Sequence, residues 1–95
     1  MDEQIKEVKE KIVPILRQHD VVRAGLFGSL VRQEIRVDSD IDLLIELRPD
    51  KSLFDLVALK LDLEDILGRS VDLVEYLTLH PRLSAKILQE EVRVL

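Results

Sequence analysis

The chain has 95 residues, is 46% apolar, carries a net charge of −5 and contains no cysteine. That length fits one domain spanning 1–95 that buries about two thirds of its unfolded surface. The charge argues against a long nucleic-acid duplex as the main partner, three aromatic residues make no base-stacking platform, and the missing thiols exclude disulfides and thiolate metal sites.

No apolar run approaches the roughly 18 residues needed to cross a bilayer. The start, Met1-Asp2-Glu3-Gln4, is acidic and lacks the basic residues and apolar stretch of a signal peptide. A cytoplasmic protein with no membrane partner is expected.

From Asp2 to about His19, Ile5, Val8, Ile12, Ile15 and Leu16 recur at helical spacing. Pro14 lies inside that pattern and is expected to kink it or to start a second short turn. Val21 to Phe27 reads as a buried strand. Gly28-Ser29 turns the chain into a short helix over about Leu30–Glu34, and Arg36–Ser39 is a loop. Asp40 to Leu47 is the second strand and Arg48–Lys51 a turn.

Ser52 with Asp55 three residues on is a capping signal for a helix over Leu53–Leu67, which Gly68 should end. Ser70 to Tyr76 reads as a third strand. Pro81 suits the first turn of a last helix running to about Glu91, and Val92–Leu95 forms a short edge strand. The order, αβαβαβα(β), predicts an α/β fold (α+β by some schemes): a small mixed sheet of three to four strands with helices packed on it.

The helix over 53–67 carries more apolar residues than one buried stripe needs: ten of its fifteen. Leu56, Leu59, Leu63, Ile66 and Leu67 make one face, while Phe54, Val57 and Leu61 lie on another. Such a helix covers its own sheet with one face and meets another chain with the second, or it is buried deeply in its own domain. Both readings stay open. A homo-oligomer through this helix is one form of the first.

The chemistry concentrates between Phe27 and Glu46. Asp40 and Asp42 flank one apolar residue in a strand-like run, so they share a sheet face about 7 Å apart at Cα, given ~3.3 Å per residue. Side chains leaning together from that spacing can share two divalent cations about 3.5–4 Å apart. The bland alternative is a solvated strand face. Repulsion between like charges with no base between them weighs against it unless cations intervene. Gly28-Ser29, just upstream, offers backbone N–H groups suited to a phosphate.

A hydrophobic residue, Gly28-Ser29, a spacer near ten, then Asp40-Ile41-Asp42-Leu43 resembles the DNA polymerase β-like nucleotidyltransferase superfamily. Length and order resemble its minimal, MNT-type members, many of which act as antitoxins beside HEPN-domain toxins. The resemblance covers nearly the whole chain. It implies the nucleotidyltransferase fold, with Gly28, Ser29 and Arg32 on the nucleotide phosphates. It further implies Asp40, Asp42 and Asp72, the last in Ser-Val-Asp-Leu-Val, as catalytic carboxylates holding two Mg2+ ions, with Asp72 also helping to deprotonate the acceptor. The chain departs from the usual pattern at Gln33, where glycine is common, and at Val31, where alanine is; this bears on substrate fit and not on the metal ligands.

The activity so implied is transfer of a nucleoside monophosphate, AMP from ATP, onto a hydroxyl of a partner protein. A HEPN-type toxin is the implied partner and a tyrosine the implied acceptor. A non-catalytic antitoxin that masks its partner by binding is the competing function, and transfer to a small molecule such as an aminoglycoside is a third. His19 and His80 read as helix-boundary residues. Asp62, Glu64, Asp65, Glu90 and Glu91 read as solvated helix faces.

Overall fold

A computed structural model describes residues 3–95, the side chain of Leu83 apart. Helix α1 (Glu3–Gln18) buries Ile5, Ile12 and Leu16 along one stripe, as a 3.6-residue period demands. Asp2, where the sequence expects that helix to start, lies outside the described residues. Pro14 sits inside α1 without dividing it. Glu10 and Pro14 are both exposed, so water can take the place of the N–H that proline lacks.

Strand β1 (Val21–Phe27), strand β2 (Ile41–Leu47), helix α2 (Leu53–Leu67) and strand β3 (Val71–Glu75) follow, then a 3₁₀ turn over Tyr76–Thr78, helix α3 (Pro81–Glu90) and strand β4 (Val92–Arg93). The four strands form one sheet in the order β3-β2-β1-β4. β1 runs antiparallel to β2 and to β4, while β2 and β3 are parallel. The parallel pair needs a crossover, and α2 supplies it. This is the mixed α/β sheet that the sequence predicts.

One sheet face is the core. Ala24, Leu26, Ile41, Leu43, Ile45 and Val71 cluster with Ile12 and Leu16 of α1 and Leu59 and Leu63 of α2. Each large side chain buried there contributes about 1.5–3 kcal/mol. Alternation along β2 then turns Asp42, Leu44 and Glu46 to the opposite face. That second face is not open water at its centre, because Leu44 is fully buried. Glu91, just past α3, lies over Gly25, the β1 partner of Leu44; a Cβ on Gly25 would collide with the Glu91 carboxylate.

Helix α2 is bounded as expected. The Asp55 carboxylate accepts from the Ser52 backbone N–H at 2.7 Å, and Gly68, at φ 65°, donates its N–H to the Glu64 carbonyl at 2.8 Å. Leu59 and Leu63 are buried, whereas Phe54 is 86% and Leu61 58% exposed, with Val57 exposed beside them. The deeply buried alternative for this helix therefore falls. Ile66, grouped with the core face from its spacing, is exposed too.

Two expected elements differ. Residues 30–34 do not form a helix; Gly28 to Gln33 is a run of turns. The Arg32 N–H reaches the Gly28 carbonyl, but Gln33 adopts φ 61° and Glu34 closes back on the Ser29 carbonyl at 2.9 Å. One turn fixes too many dihedrals for too few hydrogen bonds to persist as a helix. Strand β2 begins at Ile41 and not at Asp40, because its parallel ladder starts there: Ile41 pairs with Val71 and donates to the Ser70 carbonyl at 2.9 Å.

Candidate active site

The predicted carboxylates come from two neighbouring strands. Asp42 and Asp72 are direct partners in the β2–β3 ladder. Parallel partners point the same way, so their side chains rise together from the second face. Asp40 precedes β2 and is exposed. The loop leading to it is pinned by Arg69, whose guanidinium donates to the carbonyls of Arg36 at 2.7 Å and Ser39 at 3.1 Å.

Gly28 closes the other side. Phe27 pairs with Asp42 across β1–β2, which brings the Gly28 backbone against the Asp42 carboxylate. Gly28 holds φ 77°, and a Cβ there would collide with Asp42 Oδ2. Only glycine meets both conditions. Ser29 is half-buried beside it. Phe27, Gly28, Arg32, Asp42, Lys86, Ile87 and Glu90 line a cleft of about 260 Å³.

The electrostatics are those of a crowded acidic nest. Burial, then the neighbouring Asp72 and Asp40, raise the Asp42 carboxyl above the ordinary aspartate range, with Glu90 adding to the effect and Arg32 opposing it. Hydrogen bonds to Glu34 and Glu90 raise Arg32 further above its already high value. A donor set made only of carboxylate oxygens, mutually repelling, fits a hard cation such as magnesium. Among the described residues no three acidic or histidine side chains have closed to the spacing that grips an ion.

Three glutamates read as solvated prove otherwise. Glu90 is only 16% exposed; it accepts the Gly28 N–H at 2.6 Å and a hydrogen bond from Arg32 at 3.0 Å. Glu91, 6% exposed, accepts the Tyr76 hydroxyl, while Arg23 stacks 4.0 Å from the Tyr76 ring centre. Burial first, and then that hydrogen bond, push the Tyr76 hydroxyl far up. Glu64 accepts the Val71 N–H at 2.9 Å, bracing the start of β3. A helical pattern marks such residues as polar, and nothing local reveals what a distant strand offers them. His19 pairs with Asp62 at 2.7 Å.

Comparison with known proteins supplies the family to which this fold belongs. Residues 10–95 match the family model for polymerase beta-type nucleotidyltransferases, and the chain belongs to that family. Protein MJ0435 of Methanocaldococcus jannaschii, proposed by its name to be a protein adenylyltransferase, is 52% identical over 91 residues, covering 96% of this chain and 98% of its own. Protein adenylyltransferase MntA of Thermococcus cleftensis is 40% identical over 80 residues, covering 83% and 81%. A solved structure described as a proposed minimal nucleotidyltransferase superposes with TM-score 0.82 at 40% identity over 97% of this chain and 95% of that one. A chain from the Shewanella oneidensis complex of tri-AMPylated HEPN toxin with MNT antitoxin shares the fold at TM-score 0.72 and 21% identity, covering 95% and 71%. Among the described residues no helix is long and apolar enough to cross a membrane.

Proposed function

We propose that this nucleotidyltransferase moves AMP from ATP onto a hydroxyl of a partner protein, and that the partner is a HEPN-type toxin with a tyrosine acceptor. The observation that carries the reading is the in-register pair Asp42–Asp72 with the Gly28 backbone against Asp42. The names of the adenylyltransferase relatives and the toxin–antitoxin setting of the fold neighbours support the group transferred and the partner.

Asp40, Asp42 and Asp72 would hold two Mg2+ ions. Bound magnesium supplies Lewis acidity, neutralising charge on the triphosphate and on the attacking oxygen. The Gly28 N–H, the Ser29 hydroxyl and the Arg32 guanidinium bind and orient phosphate oxygens. Asp72, exposed beside Asp42, receives the proton of the acceptor hydroxyl. The acceptor oxygen then bonds to the α-phosphorus as the bond to pyrophosphate breaks. The exposed stripe Phe54, Val57 and Leu61 on α2 is the docking face for the partner chain.

The test is incubation with the partner toxin, labelled ATP and magnesium, comparing the native chain with Asp40→Ala and Asp42→Ala. Label reaching the toxin only with the native chain is the expected result. Neutralisation that survives both substitutions, with no label transferred, would establish masking by binding in its place.

A further inference from the structure

The cleft already contains an anion of the chain's own. Glu90 is the last residue of α3, and its side chain crosses to the Gly28 corner from 62 residues away. Its Oε1 accepts both the Gly28 N–H at 2.6 Å and Arg32 Nη1 at 3.0 Å, and its Oε2 lies 3.2 Å from the same nitrogen. These donors are two of the three groups assigned to the nucleotide phosphates above. Two carboxylate oxygens on a backbone N–H and a guanidinium copy one edge of a phosphate.

Charge alone disfavours Glu90 there, since it adds to the repulsion on Asp42. What holds it is the Gly28 N–H, which has Glu90 as its acceptor, together with the Nη1 edge of an Arg32 guanidinium whose Nε is engaged by Glu34 at 3.1 Å. Lys86, one turn earlier on α3, lines the same cleft with Ile87. Helix α3 thus brings both a plug and a cation to the phosphate corner.

We propose that Glu90 is an internal phosphate mimic that caps this corner and is displaced by an incoming polyphosphate. The inference rests on reading Gly28 and Arg32 as phosphate ligands. The exchange is of one anion for another and breaks no covalent bond. Glu90 rotates toward solvent, and the Gly28 N–H and the Arg32 guanidinium pass to phosphate oxygens with Lys86 facing them. Until that exchange the plug keeps the donors organised. It also lowers apparent affinity by the fraction of molecules in which the corner stands open.

The test is calorimetric titration of the full chain in magnesium buffer with two separate probes, ATP and inorganic tripolyphosphate. The proteins compared are the native chain, Glu90→Gln and Glu90→Ala. Glutamine keeps shape and helix propensity while removing the charge, so it stands if the alanine variant fails to fold. Both variants are expected to bind both probes about tenfold tighter than the native chain. Tripolyphosphate affinity that stays equal or falls in Glu90→Gln overturns the plug whatever ATP does, and a fall would make Glu90 a ligand of the site. Tripolyphosphate tightening with ATP bound by none of the proteins leaves the plug standing and sinks the nucleotide reading. Absence of binding by every protein overturns both.

Discussion

Replacing Asp42 by asparagine should stabilise the metal-free protein while abolishing transfer. Paired residues on adjacent strands lie about 4.8 Å apart at Cα. Two unit charges near that distance repel by about 3 kcal/mol at an effective dielectric of ~20. Asp42 is half-buried and Asp72 exposed, so solvent screening cuts this to about 1 kcal/mol. For a domain of this size that corresponds to a rise in Tm of about 4–8 °C. The sign follows from linkage. The folded-state pKa of Asp42 is raised, so the folded chain holds more protons than the unfolded one between the ordinary aspartate value, about 3.9, and the raised value. Native stability therefore falls as pH climbs through that window. Thermal melts followed by circular dichroism in EDTA should show Asp42→Asn melting higher at pH 7, with the gap closing below about pH 4. Millimolar magnesium should lift the native chain more than the variant. A variant that melts lower than the native chain at pH 7, or a gap that persists at pH 3.5, would refute the reasoning.

Gly28→Ala should lose about 1–2 kcal/mol, since alanine is strained at φ 77° and its Cβ collides with Asp42; a melt reads the loss, and labelled transfer should vanish with it. Glu64→Ala deprives the Val71 N–H of its acceptor and should cost about 1–2 kcal/mol, with hydrogen exchange at Val71 faster than in the native chain beyond the global change. Phe54→Asp or Leu61→Asp on the exposed face of α2 should leave the melt of the isolated chain within about 0.5 kcal/mol; toxin capture, measured by calorimetry, should weaken at least tenfold.

Legibility in the sequence tracked the range of the interactions concerned. Helix α2 was readable to both ends because Ser52, Asp55 and Gly68 act within one turn of the helix they bound. The segment after Gly28 was misread as helix because its closure depends on Gln33 adopting a left-handed conformation, a choice no apolar period records. Asp40 was placed in a strand whose first rung is decided by a partner thirty residues later, Ile41 on Val71. The candidate carboxylates were visible as residue types at a telling spacing. Glu90 was not, since a glutamate at a helix end looks the same whether it faces water or a glycine N–H.

The sequence by itself determined the four strands and three longer helices in their order, the buried Ile5, Ile12 and Leu16 of α1 and Leu59 and Leu63 of α2, and the face on which Asp42 stands, because periods of 3.6 and 2 are written into the chain residue by residue. Tertiary structure alone decided that Asp72 rises beside Asp42, that the Phe54–Leu61 stripe stays outside the core, and that Glu90 closes on Gly28 and Arg32. Those outcomes depend on strand register and on where α3 returns across the sheet. Segments far apart in the chain settle both together, as packing and charge are satisfied at once.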